Sequence, residues 1–382
     1  MLASIATRTA GRTSRAAPAP RPARWTVPPV LARQVRNGVV ESVQRGDIVE
    51  VDAAGRMLHV LGDPDRLVNL RSTVKPFGLV ALLRAGGIAE FDLTTDELAV
   101  MASSHSGEDL HVRTLQALYR RVGVAQAMLA CGTEGSPLDV LTAARLARDG
   151  ERPSPVRHMC SGQHTVFILL AKLGDWDPET YWQEDHPAQA AYRETIADVF
   201  GVQNARLVTG LDGCGVLTYA FPLRDVARAY AVLADPGAIP STDPRAPLAK
   251  HLYSVRDAML AHPELVAGNR DRLDTSLMKA APGRVVSKSG MEALRGVGIL
   301  AGARGAGSPA SGLALKIEDG DGYERATWSA TVEALRQIGV LEGQQLRVLA
   351  RYHRPPSLDP HGRVAAETTP SFELAPVGEL TG

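Results

Sequence analysis

Lysine is the scarce residue of this 382-residue chain: of 42 basic side chains only Lys75, Lys172, Lys250, Lys279, Lys288 and Lys316 are lysine, and the rest are arginine. Such an arginine excess reads as coding bias, so each surviving lysine is a position to question. Aromatic residues make up only 5%, and beyond residue 40 no basic run rises above the mixed background. Stacking platforms along a cationic groove are therefore not visible, and no nucleic-acid partner is expected. Long apolar runs are missing too. A run such as residues 166–171 falls far short of the roughly 20 residues that span a bilayer, so no membrane association is expected. Three cysteines, Cys131, Cys160 and Cys214, are too few for a disulfide framework. The positively charged start is broken by arginine and proline where an export signal needs an unbroken apolar stretch, so a cytoplasmic location is expected. Acids are absent from the first 40 residues, which hold seven arginines, leaving 35 basic against 42 acidic residues in the remainder. That opening has the composition of an organellar transit peptide or of a plain disordered basic tail.

What is present is a globular composition, 45% hydrophobic and 22% charged. We divide the chain into a basic tail at 1–36, one catalytic domain at 37–355 and a polar extension at 356–382. From residue 39 short β-branched runs separated by a glycine turn read as a meander of two or three strands, through 47–52 and 57–61. Thr94-Thr-Asp-Glu97 is a capping sequence that opens a helix through Met101. Helices are expected at about 111–122, 139–148, 165–173, 187–199 and 222–233. Strand character returns at 284–287, 312–318 and 345–349. Strands at both ends with helices between them predict an α/β protein of the α+β type, with an antiparallel sheet built from both chain ends and packed with a helical region.

Four segments carry side chains able to do chemistry. In Arg71-Ser-Thr-Val-Lys75 a helical turn would bring the Lys75 amine toward the Ser72 hydroxyl, and a buried lysine can act as base on a weak serine nucleophile. Ser-x-x-Lys also occurs at Ser276–Lys279, so the pattern alone equally describes an exposed helix pair. Lys288-Ser-Gly290 at a strand end is similar to the Lys-Thr/Ser-Gly element of penicillin-recognising serine enzymes. In Met101-Ala-Ser-Ser-His-Ser-Gly-Glu108, the hydroxyls of Ser103, Ser104 and Ser106 could cap a helix, assist an oxyanion or serve as a second nucleophile. Finally, Cys160-Ser-Gly-Gln-His164 and Leu211-Asp-Gly-Cys-Gly215 place two cysteines and a histidine in glycine-flanked turns, as buried thiols or as zinc ligands.

Taken together, Leu70-Arg-Ser-Thr-Val-Lys-Pro-Phe77, Thr94-Thr-Asp-Glu-Leu98, Ser104-His-Ser-Gly-Glu108, Cys160-Ser-Gly-Gln-His164, Asp185-His-Pro-Ala-Gln189, Leu211-Asp-Gly-Cys-Gly215, Val286-Ser-Lys-Ser-Gly290 and the run 312–320 resemble, in order, the rhizobial-type (class 3) asparaginase II family between about residues 41 and 325. The resemblance implies a serine β-lactamase/glutaminase-like fold, a homodimer, and hydrolysis of the side-chain amide of L-asparagine. It implies two Ser-Lys pairs, Ser72 with Lys75 and Ser104 with Lys288, and substrate contacts from Arg71, Asp212 and His164. It further implies Zn2+ near Cys160 and Cys214. At position 163 the family motif more often has lysine, and Gln163 cannot supply an amine ligand, which sets the zinc expectation against this chain's own residue. Ser72 is the favoured nucleophile, with backbone N–H groups of the Ser104–Gly107 turn as oxyanion donors. The alternatives are a penicillin-recognising serine hydrolase and a non-catalytic amino-acid binder on the same fold.

Overall fold

The computed structural model describes residues 26–322 and 324–378. Most of the basic tail, including any targeting segment, lies outside the described residues. The main sheet is antiparallel throughout and takes strands from both chain ends. It begins with β1 (Val30–Arg36), β2 (Val39–Asp52) and β3 (Met57–Leu61). A smaller sheet follows from β4 (Leu67–Asn69), β5 (Val208–Leu211) and β6 (Leu217–Pro222). The main sheet resumes with β7 (Val285–Gly290), β8 (Leu294–Ile299) and β9 (Ser311–Ile317), and ends with β10 (Pro356–Leu358) and β11 (Val364–Pro370). The order is β10-β11-β1-β2-β9-β8-β7, with β3 also paired to β2. β7 thus ends the strand order, and its outer side packs against residues 71–74.

Helices cover both faces, so the inner strands are buried on both sides and read as continuous apolar runs, as in β9. On one face the helix Leu223–Ala234 packs against β8 and β9. It lies close because Gly296 and Gly312 carry no side chain: a methyl on Gly312 would run into the Ala227 carbonyl and the Ala231 amide, and one on Gly296 into the Tyr230 ring. Gly312→Ala is therefore expected to destabilise the fold by about 1–3 kcal/mol through overpacking, read as a lower denaturation midpoint with an unchanged m-value. On the other face Leu313, Leu315 and Ile317 pack with Ala330 and Leu335 of the helix Arg325–Gln337.

The meander, the Thr94 capping box and the five helices occur as the sequence predicts, observed as Asp109–Val122, Val140–Arg148, Ser161–Leu173, Pro187–Phe200 and Leu223–Ala234. Three expectations are corrected. Residues 345–349, read as a strand, fall in the helix Gly343–Val348 and its end. Residues 30–36, assigned to the tail, are strand β1. The extension beyond 355 supplies β10 and β11, and Ala32 stands opposite Pro370, so the two assigned ends complete one sheet edge together. Of β10 and β11 only β10 is an edge strand, where a polar composition is usual. No helix among the described residues is long and apolar enough to cross a membrane.

Candidate active site

Ser72 sits in the 3-10 turn Arg71–Val74 that leads straight into the helix Lys75–Arg84. The turn is fixed from several sides. Leu70 N–H donates to the Tyr219 carbonyl at 2.8 Å, Arg71 N–H to Thr218 Oγ1 at 3.1 Å, and the Tyr230 hydroxyl to the Thr73 carbonyl at 2.8 Å. Tyr230 is the ring lying over Gly296, so the close helix-on-sheet packing also anchors the serine turn. Arg71 is held at φ 45°, in the left-handed region, and its Nε donates to Asp212 Oδ2 at 2.9 Å. A non-glycine residue there costs about 1–3 kcal/mol, which the surrounding hydrogen bonds offset. Being at the start of a helical run, the Ser72 N–H lacks an intrahelical acceptor.

Lys75, on the first turn of that helix, does not pair with Ser72. Its Nζ donates to Ser104 Oγ at 3.0 Å, to the Met159 carbonyl at 3.3 Å and to Cys160 Sγ at 3.2 Å. Lys288, on the β7 edge, meets the same hydroxyl from the other side: Nζ lies 2.8 Å from Ser104 Oγ and 2.6 Å from the Ser289 carbonyl. Both lysines are buried. Burial pushes Lys288 well below its usual range, and the nearby Lys75 and Arg272 push the same way, against Asp274. Burial thus favours the neutral amine of Lys288, the form that has a lone pair to offer Ser104.

Asp274, in the helix Leu273–Ala280, organises the strand that carries Lys288. It accepts from the Ser287 hydroxyl at 2.6 Å, from the Ser289 N–H at 2.9 Å and hydroxyl at 2.7 Å, and pairs with Arg295. Burial alone would raise its pKa, but Arg295 and Lys288 hold it well below the usual carboxylate range. Sequence reasoning missed Asp274, Arg295 and Arg272. The available signal was an acid and an arginine inside otherwise apolar stretches at 273–278 and 294–299. The second Ser-x-x-Lys is an ordinary surface pair: Ser276 donates to Tyr352 and Lys279 meets Glu264 at 3.1 Å.

Three of the four expected oxyanion donors are engaged. Ser104 N–H donates to the Val266 carbonyl at 3.0 Å, Ser106 N–H to Ala267 at 2.8 Å, and Gly107 N–H to His105 Nδ1 at 3.1 Å. Two of these amides dock the segment against residues 266 and 267 and one holds its own turn, and the Ser106 hydroxyl is likewise engaged with Glu108 at 2.7 Å. Ser103 is fully buried.

Cys160 and Cys214 do come together. Cys214 donates its S–H to Cys160, and this together with Lys75 lowers the Cys160 pKa, while Cys214 is raised by that same bond and by burial. A zinc ion would compete with Lys75 for the Cys160 sulfur. Gln163 turns instead to the Tyr192 hydroxyl at 3.1 Å, and among the described residues no three His, Cys, Asp or Glu side chains assemble as a metal-holding group. The residues present do not fit the zinc site implied by resemblance, and no step below runs through a metal. His164, expected at the substrate, is fully buried with Nδ1 on the Tyr181 hydroxyl at 2.6 Å, and it is not part of the cavity wall. Arg71 and Asp212 also lie outside that wall, whereas Ser72 and Ser104 both line it. The cavity has a volume of about 460 Å³.

Two buried lysines converging on a hydroxyl that lines a cavity suit nucleophilic cleavage of an acyl bond, the chemistry of an amidohydrolase. More particularly, the L-asparaginase II family model matches residues 32–370, and the chain belongs to that family. Among solved structures it is similar to Mglu in its glutamate form, at 17% identity over 79% of this chain and 63% of that one, with a TM-score of 0.41. It is also similar to a probable glutaminase from Bacillus subtilis complexed with 6-diazo-5-oxo-L-norleucine, at 14% identity over 81% of this chain and 90% of that one, with a TM-score of 0.37. The chain thus spans less than two thirds of the length of Mglu. No curated protein matches it by sequence.

Proposed function

We propose that the protein hydrolyses the side-chain amide of L-asparagine to aspartate and ammonia through a serine ester. The observation that carries this reading is the convergence of Lys75 and Lys288 on Ser104 Oγ beside Ser72, at one cavity wall. Ser72 is the attacking hydroxyl, because its own N–H stands at a helix start and can receive the developing oxyanion, whereas the Ser104 N–H is already bonded to Val266. Ser104 relays the Ser72 proton to Lys288, whose burial favours the unprotonated amine that can accept it. The C–O bond forms, the C–N bond breaks, and ammonia leaves with the proton from Lys288. Water then attacks the ester by the reverse path, returning the hydroxyl of Ser72. The half-buried Arg71–Asp212 pair supplies opposite charges for the α-carboxylate and α-amino groups of the substrate.

The test is ammonia release from L-asparagine and L-glutamine, with added zinc and with a chelator, by wild type and Ser72→Ala. The expected result is turnover of asparagine that survives the chelator and is abolished in Ser72→Ala. Failure to release ammonia from either amide, or full activity in Ser72→Ala, would sink the proposal. An acyl-enzyme trapped on a peptide containing Ser104 would reassign the nucleophile.

A further inference from the structure

The geometry points to a secondary amide as a substrate class of this site: a β-aspartyl amide whose nitrogen carries an uncharged apolar alkyl or aryl group. The inference rests on the amidohydrolase reading above and extends it to the leaving group. When asparagine is the substrate that group is ammonia, which needs almost no room, yet the cavity at Ser72 measures about 460 Å³. Cavities of roughly 300–1,000 Å³ hold whole drug-sized ligands.

Ser72 divides the space. Arg71, the preceding residue, turns its guanidinium to Asp212, and neither belongs to the cavity wall. With the charged amino-acid end of the substrate on that pair and the acyl carbon at Ser72 Oγ, the amide nitrogen points into the cavity. A substituent on that nitrogen is what the space beyond would receive.

The wall chemistry selects the substituent. Two of the cations there are paired with acids, Arg270 with Asp139 at 2.5 and 2.7 Å and Arg295 with Asp274, and Arg272 is turned to the Ser104 carbonyl at 2.8 Å. Asp321 accepts from Thr327 N–H at 2.7 Å and Oγ1 at 2.8 Å. Glu292 and Glu324, also on the wall, disfavour an anionic group. Most of the exposed wall is apolar, with surface from Leu138, Val140, Met159, Met291 and Trp328. Met291 is 50% exposed, and Trp328 is braced edge-on against Tyr352 with ring centroids 5.0 Å apart. An ammonia leaving group covers none of this surface; an aryl or alkyl group gains by burying it against a flat indole and an adaptable thioether. The chemistry is unchanged in kind. The ester bond to Ser72 forms as the C–N bond breaks, the amine leaves with the proton from Lys288, and water releases aspartate, so water is the only co-reactant.

The test compares L-asparagine with its N-benzyl side-chain amide, following aspartate and benzylamine release by wild type, Met291→Ala and Trp328→Ala. The expected result is a wild-type kcat/KM for the benzyl amide at least equal to that for asparagine. Each variant should lower the benzyl-amide value about tenfold or more and alter the asparagine value by less than about twofold. Met291 is half-exposed, so its variant remains informative if Trp328→Ala fails to fold. Turnover of asparagine without turnover of the benzyl amide overturns the inference, and so does an equal loss on both substrates. Turnover of neither removes the amidohydrolase reading itself, and this extension with it.

Discussion

Lys288→Met is expected to lower kcat for asparagine by about 10²–10⁴-fold, the contribution typical of a positioned general base, while leaving the protein folded. Lys288 Nζ is 2.8 Å from Ser104 Oγ, fully buried, and pushed well below its usual pKa by that burial. Methionine fills nearly the same volume and removes only the amine. The sign of the stability change follows from proton linkage. Because the folded-state pKa of Lys288 is depressed, the unfolded chain binds the extra proton between that pKa and the ordinary lysine value of about 10.4. Wild-type stability therefore rises with pH across that window, and at neutral pH the buried amine is a burden that the methionine variant lacks. Activity should fall with no loss, or a small gain, in the denaturation midpoint. In wild type, kcat/KM should rise with pH as Lys288 gives up its proton, and that limb should be missing from the residual activity of Lys288→Met. A variant that keeps wild-type kcat, or keeps the same acid limb, would remove Lys288 from the reaction.

The lysine scarcity that singled out Lys75 and Lys288 from sequence led to two groups that the fold places on one oxygen, but the pairing was not legible. Spacing of three residues put Lys75 with Ser72, because local helix geometry is all that a linear pattern encodes. The actual partner, Ser104, lies on a different segment, and only the docking of the Lys75–Arg84 helix against the Ser104 segment and β7 decides which hydroxyl the long side chain reaches. The same reason explains why the Ser104 and Ser106 amides are not oxyanion donors: a serine-rich turn looks like a source of free amides until residues 266 and 267 arrive to accept these two. Helices with strong apolar periodicity and the Thr94 cap were legible since they are written locally, as in Asp109–Val122. Residues 345–349 were misread because an apolar run this short does not separate helix from strand, and the tertiary context chose helix. β11 escaped notice because its partner β1 lies at the other end of the chain.

Asp274→Ala should be the most destabilising single change at the site, by about 3–5 kcal/mol, the usual penalty for removing one partner of a buried ion pair. The carboxylate is fully buried and serves Arg295, the Ser287 hydroxyl and both the N–H and hydroxyl of Ser289. Without it Arg295, itself buried, keeps its charge with no opposing acid, and the two residues flanking Lys288 lose the acceptor that fixes the β7 edge. The loss should appear as a lower denaturant midpoint at neutral pH. The folded-state pKa of Asp274 is depressed, so its contribution is fully present above the ordinary aspartate value of about 3.9 and fades as pH falls below it. Wild type and variant should therefore converge in stability toward strong acid. A second substitution separates charge from shape: if the unpaired Arg295 is the main cost, Asp274→Ala with Arg295→Met should recover a large part of the lost stability, with a coupling energy of about 0.5–3 kcal/mol. Activity should not return with it, because the double variant still lacks the acceptor that holds Ser289 N–H and, through that strand end, keeps Lys288 on Ser104. Recovery of both together would show that Asp274 neutralises Arg295 and does nothing to position the base.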